Sequence, residues 1–517
     1  MLIGDIPARN AGLYPSKTAI IQGSIRFTFA QFHERVNRLA NAVLSLGAMK
    51  GDRIAILHQN CYQYVELYFA LAKIGMPVVP LNYRFNPKEL SYVLTDSGAK
   101  MVFFGKEYLS TIEKIQAEIT SLKECICIDD SLPGMMNYEE LMSFASPEEP
   151  VAQVDEEDLA VLGYTGGTTG KPKGVMTTHR NIITSCYNTA LERLLSANDT
   201  HLIIPPIFHA GGANSMFAFS FVGATTVILN TSNIDTILKT VQDHKITHLM
   251  FVPTLMLSAI EHPNTGSYDL TSLKTIYYGT APISIGPLKK AMRLFKCNFS
   301  QTYGMTETFV PVSILKPEDH KLSGTPDQDR RMSSVGREVM GVKVKIVDND
   351  GRELGRGEIG EVIVQGKNVM NGYWNQPDLT QEVLKDGWLY TGDMGMLDEL
   401  RYLYIVDRKK DMIISGGENI YAKEVEDVLA AHPAVAKAVV IGVPDEKWGE
   451  AVKGLVIKKS GSEVSEEELI NFCKSRLASY KKPKSIEFLV DFPKSTAGKI
   501  LKRELRQKYW EGRSRKI

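Results

Sequence analysis

Between Thr28 and Gly105 the hydrophobic period switches repeatedly, and this alternation restricts the fold more than any other feature. TFAQFHERVNRLANAVLSLG spaces its apolar residues as a helix does, and DRIAILH then reads as a strand. YVELYFALAKIG is helical again, MPVVPLN is extended, and ELSYVLTDSG precedes the strand-like AKMVFFG. Repeated helix–strand alternation predicts α/β layers built on parallel strands. The 517 residues exceed one ordinary core, so two or more domains are expected. After about Gly341 the character changes to short strands with turn signals. Alternation then resumes in a compact tail: AKEVEDVLAAHP and EEELINFCKSRLA as helices, AVAKAVVIGVP and EAVKGLVIKK as strands. The expected fold is therefore α/β, with a large multi-layer N-terminal domain and a small α+β C-terminal domain joined near VDRKKD.

Composition excludes more than it assigns. Lys plus Arg and Asp plus Glu both number 60, which gives no support to a nucleic-acid binder. The N-terminus lacks a signal-peptide pattern, and the longest apolar run, FAFSFVGATTVIL, is too short and broken to span a bilayer. Six cysteines are sparse. The C-x-C of Cys125 and Cys127 lies in a β-like run with no second pair at zinc spacing, so a buried strand is expected rather than a metal site. A reduced, cytoplasmic compartment follows. Gly355, Gly357 and Gly360 spell G-x-G-x-x-G, but a strand follows where a dinucleotide fold needs a helix, so a hairpin turn is expected.

The stretch YTGGTTGKPKG, Tyr164 to Gly174, has the chemistry of a phosphate cradle. Glycines let backbone N–H groups close on an anion, and hydroxyls and lysines add donors and charge. It is not a Walker loop: Gly166 and Gly170 are one residue too close, and Pro172 stands where Ser or Thr is needed. LAVLGY before it and GVMTTH after it read as the strands of a hairpin, with a helix starting near Thr178.

This stretch resembles the phosphate loop of the adenylate-forming enzymes: acyl-CoA synthetases, aryl-CoA ligases, luciferases and peptide-synthetase adenylation domains. PPIFHAGG, YYGTAPI, QTYGMTET, GWLYTGDMG, IVDRKKDMIISGGENIYAKEVE and PKSTAGKILKREL follow in that family's order and extend the resemblance over nearly the whole chain. It implies an N-terminal domain over residues 1–408, a mobile C-terminal domain over 409–517 hinged near Lys410, and an active site between them. The implied reaction is ATP-dependent ligation of an acid to CoA through an acyl-adenylate, with Mg²⁺. Alternatives are an adenylating enzyme that loads a carrier protein and a non-catalytic nucleotide-binding protein on the same fold. Partners would be the acid, ATP and CoA; the oligomeric state is left open, a homodimer included.

By matching position, the resemblance assigns the loop Thr165, Gly166, Gly167, Thr168, Thr169 and Gly170 to the ATP phosphates, and Lys173 to the loop or the pyrophosphate. Thr165 and Glu307 would serve Mg²⁺. Tyr303 would stack on adenine, near Gly279, Thr280 and Ala281, with Gln301, Thr302 and Gly304 of the same motif around it. Thr306 would touch the α-phosphate. Asp393 would bind the ribose hydroxyls, with Arg408 assisting. Lys499 would bridge the acid and the α-phosphate. Gly416 and Gly417 would line the pantetheine channel, while Trp448, Tyr480, Lys482 and Lys484 would hold the CoA nucleotide. Three positions depart from the family: Gly166 where a hydroxyl is usual, Thr280 where Gly or Ala is frequent, and Arg401 where Gly is common.

The acid is constrained only in outline. His209 would wall the acyl site and gate the thiol tunnel. It stands where amino-acid-activating relatives carry an Asp, which argues against an amino acid. Gly304 replaces the Trp of acetate-type enzymes and is expected to leave room for a larger acid. Phe251, Met305, Phe309 and Val310 could supply apolar walls. A medium- or long-chain fatty acid or an aromatic acid is expected.

Overall fold

The computed structural model describes residues 1–165, 172–281, 283–416, 418–494 and 500–511. The chain forms two compact units: residues 1–344 with 364–389, and residues 345–363 with 390–517. It passes between them inside the strands Val342–Val347, Gly360–Gly366 and Trp388–Leu397. These units divide the chain by packing, whereas the expected boundary at residue 408 concerns which parts move together.

The first unit is a layered α/β body, as the alternation predicts. One sheet has seven strands in the spatial order Met136–Asn137, Glu124–Cys127, Met101–Phe104, Ile54–Leu57, Val78–Pro80, Leu159–Thr165 and Lys173–Thr178. Its strands are parallel except the last, which returns antiparallel as a hairpin. Cys127 is buried and Cys125 packs against the same core, so the C-x-C is a strand face.

The second sheet has nine strands. At its centre lie β1 (Thr200–Ile203), β2 (Thr225–Ile228), β3 (His248–Phe251), β4 (Thr275–Gly279) and β5 (Asn298–Tyr303). Their spatial order is β5-β4-β3-β1-β2, all parallel. Side chains alternate between its faces. One face carries Leu202, Leu249, Phe251, Ile276, Tyr278 and Phe299 into a dry core. The other faces α1 (His179–Glu192) and α2 (Ala210–Phe221). Helix α1 starts where the sequence expects it: Thr178 is its N-cap and forms a capping box with Asn181.

The second unit contains a sheet in the order Glu418–Ile420, Ile413–Ser415, Gly449–Lys458, Val435–Asp445, with Ser485–Phe488 parallel to Gly449–Lys458. Helices Ala422–Ala430 and Glu466–Lys474 pack on it over one apolar core. The G-x-G-x-x-G segment is a turn: Gly357 has φ +80°, and a strand starts at Gly360.

Arg401 explains itself here. It sits in the turn between Trp388–Leu397 and Leu403–Arg408 with φ +65°, a left-handed conformation that glycine adopts without penalty. Arg401→Gly is expected to raise the unfolding midpoint, by about 1 kcal/mol in stability. Urea denaturation of the two proteins side by side checks this; a lower midpoint would mean that the arginine side chain contributes more than its backbone costs.

Candidate functional site

The glycine loop grows from the hairpin end. Thr165 closes its first strand and pairs in register with Lys173, which opens the second. The first strand is anchored beside the loop by the Tyr164 hydroxyl, which donates to Asp96 at 2.5 Å. The second strand is flanked by residues 370–374, far away in sequence. Asn371 N–H donates to Met176 O, Met176 N–H to Gly372 O, and Trp374 N–H to Gly174 O. Gly166, Gly167, Thr168, Thr169 and Gly170 lie outside the described residues, as do Gly417 and Lys499.

That third segment delivers Tyr373, which the sequence reasoning did not single out. Lys173 Nζ stands 5.3 Å from the centre of the Tyr373 ring, and the Tyr373 hydroxyl donates to Glu307 Oε1 at 2.9 Å. Burial and the neighbouring Glu307 charge push the Tyr373 phenol well above the ordinary range, so it stays a donor. Among the described residues, Glu307 Oε2 has no hydrogen-bond partner. Met370 N–H donates to Glu307 O at 2.8 Å, fixing the short 3₁₀ turn Thr306–Thr308. Thr306 is part of the same group: a Cβ at Gly163 would lie 3.6 Å from its methyl. The structure thus brings Thr165, Lys173, Thr306 and Glu307 together around Tyr373. A tyrosine in the Gly- and Asn-rich run NGYWNQP was the only signal, since the pairing that places it spans about two hundred residues.

Strand β5 carries Gln301, Thr302 and Tyr303, and β4 ends at Gly279 beside them. A Cβ on Gly279 would approach Thr302 O to 2.5 Å, so only glycine fits. Thr280 follows at φ +67°, a conformation that glycine adopts without penalty, and Ala281 is exposed. Thr302 points to the opposite side of the strand from Tyr303, and its hydroxyl accepts from Arg193 Nη2 at 2.7 Å. Gly304 does not leave open room: a Cβ there would meet the Val310 Cα at 3.1 Å, because residues 309–310 fold back with positive φ. Phe251 and Phe309 belong to different cores, so they form no common wall.

His209 is the N-terminal boundary of α2, with its ring 4.1 Å from that of Phe208. Gly212, three residues on, is obligatory, since a Cβ would overlap Pro206 O, whereas a Cβ on Gly211 would meet nothing within 4 Å. Six residues into α2, Ser215 Oγ lies 2.9 Å from His201 Nε2 on the sheet. On that face a polar chain continues: Tyr277 Oη to His248 Nδ1 at 3.1 Å, then His248 Nε2 to Asp199 at 3.3 Å, with Lys274 Nζ also on Asp199 at 2.7 Å. Burial opposes ionisation of Asp199, but the hydrogen bonds from His248 and Lys274 hold its carboxyl far below the usual range.

In the second unit Asp393 is buried and paired across the ladder with Arg408, Nε to Oδ1 at 2.6 Å. Gly392 at φ +71° lets its N–H reach Glu361, which also holds Lys409 at 2.8 Å. Elsewhere in this unit Gly416 N–H donates to Trp448 O, and a Cβ on Gly416 would collide with the Trp448 ring. That ring is exposed and flanked by Lys447 Nζ at 4.8 Å and Lys484 Nζ at 5.4 Å; Lys484 also reaches Asp445 at 3.0 Å. Tyr480 stands exposed four residues before Lys484, with Lys482 between them. Gly416, Trp448 and Lys484 are thus one group, an aromatic plate with cations at its rim.

Comparisons place the chain among known proteins. The family model described as AMP-binding enzyme matches residues 7–374, and the AMP-binding enzyme C-terminal domain matches residues 424–499. The chain is 37% identical to a feruloyl-CoA synthase of an Amycolatopsis species over 98% of this chain and 99% of that one. It is 35% identical to a fatty acid–[acyl-carrier-protein] ligase of Streptomyces coeruleorubidus, covering 97% and 95%. The solved structure of o-succinylbenzoate CoA synthetase from Bacillus subtilis, in complex with its acyl-adenylate intermediate, superposes with a TM-score of 0.85 at 33% identity, covering 97% of both chains.

The Asp199 charge is expected to stabilise the fold in a defined pH window. Its folded pKa is depressed, so the contribution is full above the unfolded value of about 4 and is lost as pH falls through the folded value. Asp199→Asn should cost about 1–3 kcal/mol at pH 7. The gap between mutant and parent should narrow once pH drops below about 4. Denaturation midpoints at pH 7, 5 and 3.5 measure it; a gap that is constant across this range would separate the loss from the charge.

Proposed function

The chain belongs to the AMP-binding enzyme family, and on that footing we propose that it is an AMP-forming acid–CoA ligase acting on a fatty or aromatic acid. A carboxylate oxygen of the acid attacks the α-phosphorus of ATP, the bond to pyrophosphate breaks, and an acyl-adenylate forms. The CoA sulfur then attacks the acyl carbon, the bond to AMP breaks, and the thiol proton is released. Activation is needed because a free carboxylate would have to expel oxide; as a mixed anhydride it expels AMP.

The observation that carries this reading is the grouping at the base of the glycine loop. Thr165 and Lys173 pair across it, Lys173 lies over Tyr373, and Tyr373 holds Glu307. A cation, hydroxyls and one fixed carboxylate suit a polyphosphate and a hard metal ion. Glu307, with one oxygen engaged by Tyr373 and the other turned to no described partner, fits a Mg²⁺ ligand, and we assign Thr165, paired in register with Lys173, to the same ion. Bound there, the ion would neutralise phosphate charge. Tyr373 then has a positioning role: it aims Glu307.

We assign Tyr303, Thr306, Asp393 and Arg408 to the adenylate, and the Trp448 group to the CoA nucleotide, together with Tyr480 and Lys482. An exposed indole between two ammonium groups suits an adenine ring and its phosphates. Loading of a carrier protein is the second reading, favoured by the Streptomyces relative. Six free cysteines accord with a reducing compartment, and we assign the enzyme to the cytoplasm. Among the described residues no helix is long and apolar enough to cross a membrane.

Lys499 carries the sharpest consequence. From the motif STAGKILKREL we assign its ammonium to the acid carboxylate and the α-phosphate, which otherwise repel each other, and we place the pivot between the half-reactions near Lys410. Lys499→Ala should slow acyl-adenylate formation by roughly 100-fold or more. Conversion of supplied acyl-adenylate and CoA to acyl-CoA should stay near the parent rate. Pyrophosphate release and thioester formation, measured separately on one preparation, decide it: a parallel loss of both makes Lys499 structural. Pyrophosphate release followed by transfer to an acyl-carrier protein but not to CoA would favour the second reading.

A further inference from the structure

Arg193 is a buried cation of the first unit for which the described residues supply no anion. It caps the C-terminus of α1, and its side chain turns inward. The guanidinium lies 3.8 Å from the centre of the Tyr277 ring, a residue 1% exposed, and Nη2 donates to the Thr302 hydroxyl. Its Nε is sealed from solvent without a hydrogen-bond partner. Among the described residues no carboxylate pairs with it. The neighbouring acids are already committed: Asp199 to His248, Lys274 and Ser196, and Glu192 to Lys316 at 2.8 Å. Desolvation without a counter-charge pulls its pKa down. A buried cation with no anion is destabilising, a cost that the Tyr277 ring offsets only in part and that a bound anion would relieve.

The surroundings support a ligand rather than an accident of packing. Ser300, adjacent to Tyr277 in register, and Asn188, on α1, each bury a side-chain donor with no partner. His201, held neutral by burial and by the charges of His248 and Arg193, has Nδ1 unpartnered as well. These groups lie on the sheet face toward α1 and α2. Arg193 grips Thr302, one residue before Tyr303, and His209 opens α2, which borders the same face. On a face otherwise lined by Phe219 and Met250, the unmet N–H of Arg193 and the unmet donors of Ser300 and Asn188 call for an acceptor that carries negative charge.

We propose that Arg193 binds a second carboxylate on the acid substrate, so that the enzyme activates one end of a dicarboxylic acid and holds the other. This rests on the ligase reading and narrows it: the fatty or aromatic skeleton carries a distal carboxylate. Guanidinium and carboxylate match in shape and charge, and a neutral end in that position would leave the arginine unpaired. Arg193 is thus a specificity determinant that touches substrate away from the reacting atoms.

The test is pyrophosphate release by the unmutated protein with matched acids: adipate against hexanoate, suberate against octanoate, terephthalate against 4-methylbenzoate. Dicarboxylates should be preferred in kcat/KM by roughly 100-fold or more, because the arginine rejects an end that leaves it unpaired. Arg193→Met should reverse the preference, and Arg193→Lys should retain part of it. Equal or better turnover of the monocarboxylates by the parent overturns the proposal and leaves the ligase reading standing. So does a folded Arg193→Met with an unchanged preference, which makes the arginine structural only. The parent's own preference decides the matter if the variants fail to fold. If no acid releases pyrophosphate, the ligase reading fails. Calorimetric titration of the parent with adipate and with hexanoate, without ATP, then decides separately: selective adipate binding upholds the Arg193 site, and equal or absent binding of both overturns it.

Discussion

The three backbone hydrogen bonds between residues 371–374 and the second strand of the hairpin hold the candidate site together. Without them no backbone contact would hold Tyr373 against the hairpin. With them, Tyr373 is fixed beneath Lys173, its hydroxyl aims Glu307, and Trp374 packs against Gly174 where any larger residue would crowd it. Asn181 extends the same seam: its side-chain amide donates to Lys367 O and Val369 O while its backbone completes the N-cap of α1. A long-range backbone pairing thus sets the geometry at the base of a short, local motif, an arrangement that suits catalysis by positioning.

What the sequence made legible was whatever is encoded locally. The hairpin flanking the loop, the start of α1 at Thr178 and the strand carrying Cys125 and Cys127 all follow from alternation, turn residues and caps. Tyr373 and Arg193 were not legible. Each reads as an ordinary residue in its own segment, Arg193 as a charge at a helix end, and each acquires its meaning from partners on strands distant in sequence. Thr280 and Arg401 stood out only as departures from a family pattern; both have a left-handed φ, which accounts for the glycine that is common at position 401. Gly304 was legible in the wrong sense. An absent side chain suggested space, whereas the fold spends the absence on a close approach of Val310.

Three of the nine non-glycine residues with positive φ among the described residues lie around the same motif. Thr280, Phe309 and Val310 all adopt positive φ without being glycine, and all flank the segment from Tyr303 to Glu307. Each conformation costs energy that surrounding contacts must offset. Phe309 is buried in the main core, and the Ser185 hydroxyl donates to its carbonyl at 2.9 Å. The site is therefore held by its surroundings more than by its own preferences, as a preorganised site requires.

The two faces of the nine-stranded sheet make the same point on a larger scale. Leu202, Leu249, Phe251, Ile276 and Phe299 give one face an ordinary dry interior, while His201, His248, Tyr277, Ser300 and Thr302 give the other a buried polar row. A slip of one residue in any of these strands would exchange the faces, so the polar row also fixes register. Register alone does not require unmet groups, because a polar row with every donor and acceptor paired would fix it equally well. A row that keeps His201, Ser300 and Arg193 Nε unmet sacrifices stability that an apolar face would retain. The sacrifice is intelligible if the polar face is where the protein meets a ligand and the dry face is where it meets only itself.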